Sequence, residues 1–223
     1  MHYVTGGTGA PLVLLHWPQS WYQWRRIMPS LAQRYTVYAV DLPGLGDSRG
    51  APPSYDKATL ARFVHALLAD RLGLRAINLV GHDLGAGVGF QYAVQFPDEV
   101  VRYAHLDYPL PGPALTADKY RSLSWHEFAR TNRRPQVLTG GFELYRTLEQ
   151  DERDNLAAAP ITMPVMLMTA EGLLDFTRST VDPRMTRITR AVEVPGSGHW
   201  LPQENPAFAT ARLLDFLAAG GTR

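Results

Sequence analysis

Short apolar runs alternate with segments of helical period from one end of the chain to the other, and that alternation restricts the fold more than any other feature. Strand-like runs separated by helix-length segments can pair in parallel only if each helix crosses back over the sheet, so the class is α/β, a mostly parallel sheet flanked by helices on both faces. "PLVLLH" (11–16), "YTVYAVDLP" (35–43), "AINLV" (76–80), "VVRYAHLDYPLPG" (100–112), "MPVMLMTAEG" (163–172) and "RITRAVEVPG" (187–196) supply the strands. Between the first two, "YQWRRIMPSLAQ" reads as a helix. "DKATLARFVHALLADRLGL" places Leu60, Phe63, Val64, Leu67 and Leu68 on one helical stripe, with Asp56 as N-cap. "AGVGFQYAVQFP" stacks Val88, Tyr92 and Phe96 before Pro97 ends the helix. Asn205-Pro206 opens a last helix that turns Ala209, Leu213, Phe216 and Leu217 inward.

The alternation lapses once. Residues 113–159 hold polar helix-like fragments with no strand between them, which reads as a helical insertion. The expected layout is a core in two parts, 1–112 and 161–223, with the insertion at 113–160. A chain of 223 residues is long enough for one buried core of this kind.

Charge and cysteine content remove several classes of function. Lys+Arg 22 against Asp+Glu 21 leaves a net charge of +1, and no basic run exceeds Arg25-Arg26 and Arg133-Arg134. Nucleic acid and membrane surfaces are therefore not expected partners. With no cysteine, disulfide scaffolds, cysteine-ligated zinc, iron–sulfur clusters and a thiolate nucleophile are all excluded. The first apolar run is too short and too late for a leader, and no run reaches membrane length, so the expected location is the cytoplasm.

Within this frame, "LVGHDLGAG" (79–87) carries the chemistry. A Gly-x-nucleophile-x-Gly turn between strand and helix permits a strained, close-packed corner that pushes one side chain out at the sheet edge. Here that side chain is Asp83. Backbone N–H groups at the helix start favour its carboxylate. The bland alternative is a capping aspartate in a glycine-rich turn, and the motif alone leaves the two even.

Other residues tip the balance. "PGSGHW" puts His199 in the loop after the last strand, where a fold of this kind supplies a general base late in the chain. Such a base needs an acid to hold its tautomer. Asp107 closes the strand after the nucleophile helix, and Glu171 and Asp175, after the next strand, compete for the part. His16, Trp17 and Pro18 follow the first core strand, where backbone N–H groups reach the reaction centre. With the N–H of Leu84, that of Trp17 would complete an oxyanion hole. Three tempting features are set aside. "TGGTG" (5–9) precedes a strand and lacks the Lys-Ser/Thr of a phosphate loop; His105 and Asp107 lack a third metal ligand; His65 is a partly solvated helix residue.

Taken in order, "HWPQSWYQWRRIMPSLAQRYTVYAVDLPGLGDS", "VGHDLGAG", "LDYPLPG", "SWHEF", "GGFELYRTL" and "PGSGHWLPQENP" resemble the epoxide hydrolase branch of the α/β-hydrolase superfamily, especially its Cif-like group near the fluoroacetate dehalogenases. The resemblance implies an α/β-hydrolase fold with a helical cap, Asp83 as nucleophile, His199 as base and Asp107 as its partner. It further implies that Tyr145 and His126 are the cap's ring-opening donors, and it puts Trp125, with His16 and Pro18, at the substrate. Without it, Tyr145 reads as a core residue of the lid and His126 as a surface histidine. The implied activity opens an apolar epoxide to a vicinal diol with water and with no cofactor or metal; a homodimer is left open. Leu84 follows the nucleophile where haloalkane dehalogenases usually carry a halide-gripping Trp, and no arginine flanks it as in fluoroacetate dehalogenases. A neutral-substrate dehalogenase and a non-catalytic receptor are the alternatives.

Two departures are also on the page. The family's His-Gly-x-Pro loop is here His16-Trp17-Pro18, one glycine short, so its backbone donors are expected to shift. "WHEFARTNRRPQVL" joins two family segments that several dozen residues normally separate. The cap is expected to be shortened, or to lack residues at that join.

Overall fold

The computed structural model describes residues 1–117 and 143–219. Seven strands form one sheet: β1 (Tyr3–Gly6), β2 (Ala10–His16), β3 (Tyr35–Val40), β4 (Ile77–His82), β5 (Val100–Leu106), β6 (Val165–Ala170) and β7 (Ile188–Val194), in the order β1-β3-β2-β4-β5-β6-β7. Only β1 runs antiparallel, along the edge of β3. The other pairs are parallel, as the alternation of elements predicts.

Both faces of this sheet are buried, and β2 shows how. Its side chains alternate, so Val13 and Leu15 join Leu60, Val64, Val88 and Phe90 on one face, while Leu12 and Leu14 join Trp24, Ile27, Leu213 and Phe216 on the other. Among the described residues the α-helices are α1 (Met28–Leu31), α2 (Lys57–His65), α3 (Leu84–Gln95), α4 (Leu148–Ala157), α5 (Leu174–Val181), α6 (Leu201–Glu204) and α7 (Pro206–Ala218), of which α4 lies over α2 and α3. Every residue of α3 from Leu84 to Ala93 is buried, so this helix runs through the core.

Local details depart from the sequence pattern for identifiable reasons. The helix expected at 22–33 is split into a 3-10 turn (Trp21–Arg26) and the short α1, because Pro29 brings no N–H and fits only near a helix start. Asp56 does cap α2, accepting the Thr59 N–H at 2.7 Å. Phe63, placed on the inner stripe by periodicity, is instead 39% exposed, and the helix widens into a π turn over Ala66–Arg71. In the last helix, Ala209, Leu213, Phe216 and Leu217 are buried as expected, and the Asn205 side chain accepts from the Phe208 N–H. Among the described residues, no helix is long and apolar enough to cross a membrane.

Candidate active site

Sheet register brings the site together. His16 and His82 form the last rung between β2 and β4, and His82 and Leu106 the last rung between β4 and β5. The residues that follow, Trp17, Asp83 and Asp107, therefore leave the same C-terminal edge side by side. β2 sends its chain outward to β3, whereas β4 returns on the opposite side of β2. This is the switch point at which such sheets open a crevice.

Asp83 sits in the crevice with φ 53° and ψ −140°, a conformation that only glycine adopts without strain. Holding a side chain there costs on the order of 1–3 kcal/mol. The two glycines of the motif make room for the corner. A Cβ on Gly81 would come to 2.5 Å from Ala86 Cα, and one on Gly85 to 2.6 Å from His16 N and Cα. These neighbours are backbone and cannot swing aside. Gly85→Ala is thus expected to destabilise the chain by about 1–3 kcal/mol in denaturant unfolding, whereas Gly112→Ala, with open space around its Cβ, should stay within about 0.5 kcal/mol.

His199 reaches this corner from the loop after β7. Its Nδ1 lies 2.7 Å from Asp107 Oδ2 and its Nε2 3.3 Å from Asp83 Oδ2. Asp107 is itself held on the other side, where Oδ1 accepts the Ala170 N–H at 2.8 Å. Of the acids that compete in sequence, Glu171 is exposed and accepts the Gly196 N–H at 3.2 Å, and Asp175 is exposed on α5. Asp107 is the one brought to His199.

Burial opposes a charge on His199, but the Asp83 carboxylate and the hydrogen bond to Asp107 outweigh it and raise its pKa to about 10. A histidine whose pKa rises on folding stabilises the fold fully below its ordinary value of 6.5 and loses that contribution as the pH climbs to about 10. The His199 side chain is 37% exposed, so solvent screening keeps the effect small. Between those pH values, the denaturant midpoint should fall more steeply in the parent chain than in His199→Gln.

A layer of buried polar side chains supports the base, and of these the sequence singles out only His16, for the substrate side of the site. His82 Nε2 donates to the His199 carbonyl at 2.8 Å, which leaves Nδ1 to accept from Gln23 Nε2. His16 stacks on the His82 ring, with its Nδ1 3.2 Å from the His82 carbonyl. Burial holds the pKa of both histidines well below the ordinary value, so they are neutral. His82 stands inside the Gly-x-Asp-x-Gly motif, and its strand-end position was the available signal. Ligand atoms of His82, Asp107 and His199 lie within 4.8 Å of one another, as do those of His2, Asp41 and Asp47. In the first group, His82 Nε2 and His199 Nδ1 are both already engaged in hydrogen bonds, so the set does not fit a metal without breaking the Asp107–His199 contact.

Leu84 opens α3, and no carbonyl within the helix can accept its N–H. Trp17 is buried directly after β2, joined to a half-buried Pro18 by a cis peptide bond. Tyr145 is 9% exposed and packs in the core cluster that contains Leu84 and Tyr108. Burial pushes the pKa of the Tyr108 phenol well up, and the charges of Asp151 and Asp83 add to the shift. His126 and Trp125 lie outside the described residues.

Residues 10–157 match the alpha/beta hydrolase fold family. The chain belongs to that family. Among α/β-hydrolases, a soluble epoxide hydrolase from Corynebacterium sp. (strain C12) is 32% identical over 273 residues, which cover 98% of this chain and 93% of the relative. That alignment is longer than the 223-residue chain, so it passes residues of the relative that have no counterpart here. The ligand-free structure of the epoxide hydrolase CorEH superposes with a TM-score of 0.82 at 30% identity, over 98% of this chain and 94% of that one. A fluoroacetate dehalogenase from Burkholderia sp. is 41% identical over 110 residues, 47% of this chain and 36% of the relative. This α/β-hydrolase is a hydrolase enzyme by the family and by these likenesses.

Proposed function

We propose that the chain is an epoxide hydrolase that converts an apolar epoxide and water to a vicinal diol through an ester on Asp83. The observation that carries this reading is the carboxylate on the elbow, within reach of a histidine that a second carboxylate orients. An aspartate forms an alkyl ester with a carbon electrophile, and water can hydrolyse an ester. A serine would form an ether with an epoxide, which would not turn over.

In the first step, an Asp83 oxygen bonds to an epoxide carbon, the carbon–oxygen bond of the ring breaks, and the ring oxygen takes a proton from Tyr145, assisted by His126. His199, oriented by Asp107, then removes a proton from water, whose oxygen adds to the Asp83 carboxyl carbon. The N–H groups of Leu84 and Trp17 receive the oxyanion, a contribution of about 2.7–4 kcal/mol for each such donor. Collapse breaks the ester bond, and the departing alkoxide takes the proton of the new Asp83 carboxyl group to give the diol and the carboxylate. The proton held on His199 returns through water to the Tyr145 phenolate. Pro18 and Trp125 are assigned to the substrate pocket and residues 113–160 to the cap, while His16, 1% exposed and stacked on His82, belongs to the layer behind the base and not to the pocket.

The match to a fluoroacetate dehalogenase over about half the chain keeps one alternative, in which the same aspartate displaces halide from a neutral alkyl halide. Assay of the purified chain against aryl and alkyl epoxides for diol, and against alkyl halides for released halide, decides between them. Diol formation from at least one epoxide, with no halide release, is the expected result. Halide release with no diol would replace the reading by the dehalogenase. A folded chain that turns over neither would leave a ligand receptor.

A further inference from the structure

Lysine is among the residues least often buried, yet Lys57, the first residue of α2, is 1% exposed. The hydrogen bonds that its backbone N–H and its ammonium group donate run to the later part of the 113–160 insertion. Its Nζ donates to Asp151 Oδ2 at 2.6 Å and to the Leu144 carbonyl at 3.1 Å, and its backbone N–H donates to Asp151 Oδ1 at 2.8 Å. That N–H is one of the donors left open at any helix start, so Asp151 caps α2 from 94 residues away. One turn further along α4, Asn155 accepts from Gln91 of α3 at 2.9 Å and donates to the Pro111 carbonyl at 3.0 Å. Asp151 and Asn155, four apart on α4, thus add directional bonds to the apolar contacts that Leu144 and Leu148 make with the core.

We propose that Lys57 is a positioning residue: its clamp on Asp151 and the Leu144 carbonyl latches the later part of the insertion to the core and so sets Tyr145, the residue after Leu144, toward Asp83 for ring opening. The inference rests on the epoxide hydrolase reading and extends it to a part of the fold that the chemistry does not touch. Stability alone gives no reason to keep the ion pair, since an apolar pair of similar volume often serves as well in a buried site. Fixed geometry does give one. The bonds are directional, one ends on the residue before the proposed proton donor, and a misplacement of about 1 Å at such a group costs about 100-fold.

The test combines Lys57→Met with Asp151→Asn, which removes both charges, keeps side-chain volume and leaves an oxygen for the helix-start N–H. If that pair does not fold, Lys57→Gln with Asp151→Asn, which retains a donor at position 57, is read in the same way. Single-turnover mass spectrometry separates formation of the Asp83 ester from its hydrolysis. Ester formation should slow by about 10- to 100-fold, and ester hydrolysis, which does not use Tyr145, should stay within about twofold. Tyr145→Phe should then cost far less in the latch-free background than in the parent, because the donor is already out of place. Equal slowing of both steps, unchanged ester formation, or a Tyr145→Phe cost that is the same in both backgrounds would each overturn the latch. A parent chain that forms no ester with any epoxide would overturn the epoxide reading first, and the latch's role in ring opening with it.

Discussion

In His199→Gln, the ester on Asp83 is expected to form and then persist. Gln can keep a hydrogen bond to Asp107 but cannot take a proton from water, so only the second half of the reaction is lost. General-base catalysis contributes about 10²- to 10⁴-fold, and steady-state turnover should fall by that factor. Meanwhile the protein should gain the mass of one epoxide, located on the peptide that contains Asp83. The same chemistry predicts a pH signature in the parent. In the free chain, Asp83 helps to hold His199 at a pKa of about 10, largely charged at neutral pH. Alkylation converts Asp83 to a neutral ester and removes that support, so the pKa of His199 drops and the neutral base becomes available at the moment it is needed. Ester hydrolysis should therefore gain rate with pH through a pKa below about 10. A folded His199→Gln chain that takes up no epoxide in mass spectrometry would remove Asp83 from the role of nucleophile.

The parts of the site that could be read in the sequence are those set by local rules. Asp83 announced itself through the two glycines that its corner requires, and His199 and Asp107 through their places just after strands. The choice of Asp107 over Glu171 and Asp175 was not available from spacing, because it depends on the register that ends β4 and β5 on the same rung. The supporting residues were harder to see for the same reason. Nothing near Lys57 marks it as buried; its partner Asp151 is distant in sequence, and only the folded chain joins them. His82 looked like a spacer in the motif until the β7 loop brought the His199 carbonyl to its ring. Edge strand β1 leaves no mark in the sequence, because four partly exposed residues carry too little pattern to announce a strand. Phe63 departs from the pattern in the opposite direction, since a periodic stripe wider than the surface it covers leaves its flank in solvent.

Two substitutions at position 83 separate what the elbow does for catalysis from what it costs the fold. Asp83→Asn and Asp83→Gly both remove the nucleophile, and turnover should fall on the order of 10⁴- to 10⁶-fold in each, as it does when a covalent catalyst loses its attacking group. Their stabilities should differ. Both lack the charge facing His199, so the lost ion pair cancels in the comparison. What remains is the backbone at φ 53° and ψ −140°. Asn keeps a Cβ there and retains the strain of about 1–3 kcal/mol, whereas Gly relieves it. Glycine's larger entropy loss on folding returns about 0.5–1 kcal/mol of that gain. Asp83→Gly is thus expected to be more stable than Asp83→Asn by up to about 2 kcal/mol in denaturant unfolding. Equal stabilities would mean that the corner stores no strain. A more stable glycine variant would show that the chain gives up stability to hold a carboxylate where the histidine and the backbone donors converge.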